Sequence, residues 1–299
     1  METRELKYLR TVSIAIFAIL LSSFTAMTQG FEARSYLGVS YYQGDLSPLP
    51  INMSFSRGHL TAGFSTGYKV SKLFSVHTKL LRGTLSGTDD DASNGGRKQR
   101  NLSFTTSFTE YGLITEFNLN TIFKKLDKYG IEFYYTTGVN FFKFNPKTRY
   151  NGQWVELQPL GTEGQYIQGV GQSKPYSLSQ INIPFGLGAK FKLNPIYSIG
   201  IEIGPRWTFT DYIDDVSSEY VSFTELLTNG GPLVAALGNR TGEYFNTGPE
   251  MVETGKPRGD SSDNDWYLNT SIFFSYRLGS ALPVIPKPTI SIPVPIGIN

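Results

Sequence analysis

The chain has 299 residues, 27 basic and 25 acidic, for a formal net charge of +2; aromatics make up 14% and charged residues 17%, with 31 glycines and no cysteine. So even a charge balance carries no nucleic-acid footprint. The missing cysteines remove disulfide frameworks, thiolate metal sites, cysteine nucleophiles and a lipid-bearing cysteine behind a signal. Many aromatics and glycines with few charges exclude disorder and suit turn-rich β structure.

At the N-terminus Arg4, Lys7 and Arg10 precede an apolar run from Val12 to Leu21, followed by the stretch Ser22 to Ala26. This order predicts a secretory signal over residues 1–30. The run is about half the ~20 residues that a membrane-spanning helix needs. No later segment has that apolar length either, so an exported chain of this kind is free in solution or a barrel.

Period-2 alternation then recurs along the chain. Fainter instances cover about 34–43, 58–70, 73–85, 104–119 and 131–144. The next two are clear. Ile181, Ile183, Phe185, Leu187, Ala189, Phe191 and Leu193 alternate with Asn182, Gly186, Gly188, Lys190 and Lys192. From Tyr197 to Thr210 the apolar side carries Ile199, Ile201, Ile203, Trp207 and Phe209, against Gly200, Glu202, Gly204 and Arg206. Tyr267–Leu278 closes the series at eight strands. Soluble sandwiches alternate too, but these segments exceed the usual 5 or 6 residues. Eleven residues at ~3.3 Å each, tilted near 40°, rise roughly 27 Å, about the apolar thickness of a bilayer. Connections alternate as well: short near 70–72, 120–130 and 193–196, long near 44–57, 86–103, 145–177 and 211–265. The expected fold is therefore all-β, an eight-stranded antiparallel transmembrane barrel of the outer membrane over 31–279. Its long loops are expected outside the cell and both termini in the periplasm.

Eight strands leave an interior filled by side chains. Glu116, Glu132, Lys79, Lys190, Glu202, Arg206 and Arg277 lie on polar faces and are expected to plug the bore with ion pairs, so a diffusion pore is not expected. Tyr41, Tyr42, Phe141, Phe142, Phe144, Trp207, Phe209, Trp266 and Tyr267 are expected to form the outer aromatic girdle.

Four stretches carry a resemblance: Tyr41-Tyr42-Gln43-Gly44-Asp45-Leu46, residues 150–164 (YNGQWVELQPLGTEG), residues 209–217 (FTDYIDDVS), and Asn264-Asp265-Trp266-Tyr267. Together they resemble the PorG-like outer-membrane barrels of Bacteroidetes, linked to type IX secretion and gliding, over nearly the whole mature chain to about Leu278. The resemblance implies a non-enzymatic barrel that ties periplasmic ring partners, PorK- and PorN-like proteins, to the outer membrane. No cofactor and no small-molecule substrate is expected. Two other roles stay open: a binding barrel whose loops recognise a ligand or surface partner, and a lipid-modifying barrel enzyme.

Histidines number two, His59 and His77. His77 shares a face with Lys79, towards the lumen. His59 lies near the rim, where Ser56 or Asp45 could approach it, but no nucleophile signature accompanies it. The acidic clusters Asp89-Asp90-Asp91 and Asp211, Asp214, Asp215 read as solvated loop charge, with a divalent cation as the alternative. The span 212–264 holds nine acidic and three basic residues and is long enough to fold over the barrel mouth. Trp154, Val155, Leu157 and Leu160 either form a contact surface or pack on a neighbouring loop to close the barrel top. Over 280–299 the prolines, Pro283, Pro286 and Pro288 among them, favour an extended path. That tail either docks on a periplasmic partner, lies along the periplasmic mouth, or frays. Lys69, Lys72, Lys124, Lys125 and Lys128 on the periplasmic side suit a partner or anionic headgroups.

Overall fold

A computed structural model describes residues 30–47, 57–93, 95–170, 174–249 and 252–278. The expected signal through residue 29, Ser56, and the tail with Pro283, Pro286 and Pro288 lie outside the described residues.

Ten strands form one sheet: β1 (Phe31–Gln43), β2 (His59–Lys69), β3 (Phe74–Thr88), β4 (Ser103–Asn118), β5 (Ile131–Lys143), β6 (Pro146–Tyr150), β7 (Gln153–Glu156), β8 (Ser179–Lys192), β9 (Tyr197–Thr208) and β10 (Trp266–Arg277). Eight of them close on themselves. β1 pairs with β2 on one side and β10 on the other, and β3 pairs with β4, so no barrel strand keeps a free edge. Every pairing is antiparallel, with Glu32 opposite Arg277 at one end and Gln43 opposite Trp266 at the other. Closure satisfies the backbone groups that hydrocarbon could not.

Alternation sorts the side chains. In β9 the burial pattern switches at every residue, with Ser198, Gly200, Glu202, Gly204 and Arg206 inside and Ile199, Ile201 and Ile203 outside. Leu37, Leu60, Phe64, Leu80, Leu113, Val139, Leu187, Ile272 and Phe274 extend the outer apolar belt round the wall. Soluble monomers rarely expose more than a few hundred Å² of contiguous apolar surface; this belt encircles the barrel and is its lipid-facing surface. Two prolines interrupt the ladders. The β5–β8 pairing skips Ile183 and Pro184, and the β8–β9 pairing skips Gly204 and Pro205. Proline has no N–H to contribute.

The long connections are folded. The third contains the β6–β7 hairpin, which extends from β4 through Thr105–Lys147 and Thr106–Pro146. The second carries α1 (Gly95–Arg100), and the fourth carries α2 (Phe223–Gly230), α3 (Pro232–Gly238) and α4 (Thr241–Phe245). Ser222 caps α2: its hydroxyl accepts from the Glu225 N–H at 3.3 Å and donates to the Glu225 carboxylate at 2.7 Å. Gly231, at φ +90°, turns the chain from α2 into α3. None of these helices is long and apolar enough to cross a membrane.

The expected aromatic girdle is only partly one. Phe141, Trp207 and Phe209 point outward, but Tyr42, Phe142, Phe144 and Tyr267 are buried inside with Leu46, Leu85, Phe104, Phe108, Leu157, Ile213 and Leu237. The cause is the same alternation: of two neighbouring aromatics on a strand, one must face in. Tyr41 is also buried, packed beside Gly58. The inward set makes an apolar core where the upper bore meets the loops, so the long loops form a packed cap.

Candidate functional site

The four stretches that carried the resemblance converge in this cap. Tyr42, at the end of β1, donates its single phenolic hydrogen between two carboxyls, with Asp214 Oδ2 at 2.6 Å and Asp265 Oδ1 at 2.7 Å. One hydrogen cannot serve both contacts, so one of the two carboxyls keeps its own proton. Burial, with Asp45 adding to it, pushes Asp214 up to about 8. Burial, then Asp214 and Asp211, hold Asp265 well above the usual carboxylate range. Asp265 also accepts the Ile213 N–H at 2.8 Å, and Asp214 that of Val216 at 2.8 Å. Gly44 makes room: a β-carbon there would run into Asp265 Oδ1 and the Tyr42 hydroxyl.

Beside this chain sits a second buried group. Glu163, from the GTEG segment, accepts from Arg258 at 2.9 Å, the Ser217 N–H at 3.0 Å, the Ser218 hydroxyl at 2.8 Å and Tyr212 at 3.2 Å. Asp215 accepts from Thr162 and Tyr176, each at 2.6 Å. Burial pushes Asp215 up to about 6, held back by Arg258. Asp211 is pushed to about 9, first by burial, against a hydrogen bond from Ser217 and with Asp214 adding. Arg100 of α1 clasps Asp89 at 2.7 Å and donates to the Asp45 carbonyl at 3.0 Å; Arg97 donates to that carbonyl as well.

The acidic clusters are thus only in part solvated loop charge, with Asp90 exposed and Asp91 half-buried. Asp89, Asp211, Asp214 and Asp215 are buried: Arg100 and the Leu102 N–H reach Asp89, Tyr42 and the Val216 N–H reach Asp214, and Thr162 and Tyr176 of the third loop reach Asp215. Among the described residues no three such groups are placed to hold a metal ion. Asp45 belongs to this cap, where its carboxylate accepts the Asp260 N–H at 3.0 Å, and it does not partner His59. His59 instead pairs with the Ser86 hydroxyl at 2.6 Å, and no carboxylate orients its ring among the described residues.

Below the cap, the bore is occupied. Arg206 meets Glu110 at 3.3 Å, while Asn182 links Glu110, Tyr267 and Asn140. One level down, Lys79 meets Glu202 at 2.6 Å and lies 4.0 Å from the centre of the Tyr36 ring. Lower still, Arg34 bridges Glu116 at 2.6 Å and Glu32 at 3.1 Å, and Lys190 reaches Glu132 at 3.0 Å, Glu32 at 3.4 Å and Glu116 at 3.5 Å. His77 lies 3.9 Å from Glu116, with neither ring nitrogen hydrogen-bonded among the described residues. Arg34 and Glu110 were not singled out as ion-pair members from sequence, although both alternate onto the lumen face. Arg277 also lies on that face, at the mouth, but it has no carboxylate within 4.0 Å among the described residues, so it is not part of an ion pair.

The third-loop residues separate. Trp154, at the β6–β7 hairpin, is 59% exposed and lies beneath the guanidinium of Arg149. Leu157 is buried and Val155 and Leu160 pack against the cap core. These three therefore close the barrel top and leave Trp154 alone on the surface.

The end with the short turns is open. A recess of about 530 Å³ is lined by Lys69, Lys72, Lys124 and Lys192 with Asn118, Asn120 and Glu132. A smaller cavity of about 80 Å³ leads inward past Glu116, Lys190 and Arg277.

Closed wall, apolar belt, filled bore and folded cap together define a transmembrane β-barrel, with no through-passage among the described residues. The chain belongs to the family described as Domain of unknown function (DUF6089), whose model matches residues 10–229. No curated protein matches it. Among solved structures it is similar to Neisserial surface protein A, at 7% identity over 83% of this chain and 97% of that one (TM-score 0.41). It is also similar to Ail, the attachment invasion locus protein of Yersinia pestis, at 9% identity over 83% and 98% (TM-score 0.37), and to OprG of Pseudomonas aeruginosa, at 9% over 83% and 96% (TM-score 0.34).

Proposed function

We propose that this protein is an outer-membrane barrel with its cap outside the cell and both chain termini in the periplasm. Its role is to anchor periplasmic ring proteins of a type IX secretion and gliding apparatus, without catalysis. The observation that carries this reading is the state of the bore. Ion pairs from across the sheet fill it from Glu110 to Glu132, and the cap seals one end. Such a barrel serves as a fixed point in the membrane and not as a conduit. The open, basic mouth at the other end is where a periplasmic partner would meet it. The resemblance of the cap motifs to PorG-like barrels supplies the kind of apparatus.

The test is purification of the native protein in mild detergent, followed by identification of retained proteins. Retention of PorK- and PorN-like proteins is expected. A barrel that never retains them would remove the anchoring role.

A second reading has one observation in its favour. Trp154 stands exposed at the hairpin of the third loop, stacked under Arg149, as an anchor for an extracellular ligand would. Loss of surface-ligand binding on Trp154→Ala, with ring proteins still absent from the purified barrel, would favour it.

A further inference from the structure

The charge at the short-turn mouth is unbalanced. Lys69, Lys72, Lys124 and Arg277 line its two adjoining cavities, and none has a carboxylate within 4.0 Å among the described residues. The larger recess contains one carboxylate, Glu132, already held between Lys190 and Lys192 at 3.0 Å each. Among the described residues every other charge deeper in the bore has a partner of opposite sign, so the surplus is confined to the entrance.

We infer that this mouth is a binding site for an acidic polypeptide segment of a periplasmic partner; the inference rests on the anchoring reading and specifies its contact. Three features point to that ligand. The recess is about 530 Å³, room for several side chains of an extended segment. Lys69, Lys192 and Arg277 occupy lumen-facing register positions of β2, β8 and β10, so the site opens along the bore and takes its ligand from the aqueous side, away from headgroups beside the wall. The cations are mainly lysines on separate elements. Lysine is a point charge on a flexible stem, which suits several spaced carboxylates, whereas one phosphate is better matched by arginine forks.

The test uses the full-length protein in detergent, titrated with a labelled peptide carrying six consecutive aspartates, with its asparagine counterpart and with pyrophosphate. The aspartate peptide should bind, the asparagine peptide should not, and affinity should fall steeply between low and physiological salt. The triple variant Lys69→Gln/Lys72→Gln/Lys124→Gln should weaken binding at least tenfold, while Lys125→Gln, exposed but outside the lining, should change it less than twofold. These side chains are solvent-exposed, and retained heat-modifiable migration on gels verifies that the triple variant is folded. Equal affinity in the triple variant, or no binding by the wild type, overturns the site. Pyrophosphate binding tighter than the peptide, and lost in the same variant, overturns the peptide in favour of a phosphorylated ligand. Native purification separates this inference from the reading it rests on: ring proteins retained equally by wild type and triple variant refute the mouth as the contact while anchoring stands, and ring proteins absent from both refute anchoring itself.

Discussion

The hydroxyl of Tyr42 lies 2.6 Å from Asp214, a residue 172 positions further along the chain. That bond fastens the fourth loop to the end of the first strand, and the same oxygen touches Asp265 at the start of the last. Tyr42→Phe keeps the ring and deletes the hydrogen. The cap should lose about 1–3 kcal/mol, the cost of leaving a buried polar group unsatisfied. Limited proteolysis within 212–264 should accelerate accordingly while the strands stay protected. An unchanged cleavage rate would show that the bond does not hold the cap.

The carboxyls around Tyr42 set a pH dependence. Asp211, pushed up to about 9, and Asp214, pushed up to about 8, both lie above their unfolded values. A raised acid is most favourable to the fold while protonated, so its contribution is complete below about pH 4 and is lost as pH rises through 8 to 9. The charges facing them are Asp45, Asp265 and Glu163, against Arg100 and Arg258. Cap protection should therefore weaken between pH 6 and pH 9.5. The double variant Asp211→Asn/Asp214→Asn should flatten that profile, as read by amide exchange in the fourth loop. A wild-type profile that is already flat refutes the assignment.

In the bore, Lys79 and Glu202 meet at 2.6 Å with both side chains buried. Lys79→Met strands a buried carboxylate and should cost about 3–5 kcal/mol. Adding Glu202→Gln removes the stranded charge and should restore most of that loss, a coupling that a double-mutant cycle measures. Urea unfolding in detergent supplies the free energies. Additive effects would mean that the two groups do not interact as a pair.

Two neighbours in the third loop should respond in opposite ways. Leu157→Ala empties a site in the cap core, buried to 5% exposure, and should destabilise by about 2–5 kcal/mol. Trp154→Ala, at 59% exposure, should stay within about 0.5 kcal/mol. Thermal unfolding of the two variants separates them, and equal losses would contradict the packing described.

The strands were legible because their signal is local. From Tyr197 to Thr208 each residue's face follows from its parity, and a closed wall needs nothing more from the sequence. The ion-pair residues were legible in kind for the same reason, since Glu116, Lys190, Glu202 and Arg206 stand on polar faces. Their pairing was not. Arg34 meets Glu116 across 82 positions, a relation that depends on strand order and stagger. Arg277 shares the lumen face and stands opposite Glu32, yet that carboxylate is taken by Arg34 and Lys190. The cap was the least legible part. Parity could have faced Tyr42 into the bore, but only the folded fourth loop explains why it has two carboxyls around it. Asp211, Asp214 and Asp215 look like surface acids until Ser217, Tyr42, Tyr176 and Arg258 arrive from elsewhere in the chain. Leu157 and Trp154 sit three residues apart in one motif, and nothing local says which of them is covered.

The bond from Tyr42 to Asp265 spans 223 positions, and Glu163 takes donors from residues 49 to 95 positions away. Contacts of such long range reward the chain only after its ends have been brought together. The cap is therefore the last part to set: β10 must zip onto β1 before Asp265 can reach Tyr42. With the cap outside the cell, as proposed, the long loops must cross the bilayer before that contact can form. On that orientation the packed cap makes the crossing one-way, for a loop locked by Glu163, Arg258 and Asp214 cannot be drawn back through a bore filled by side chains.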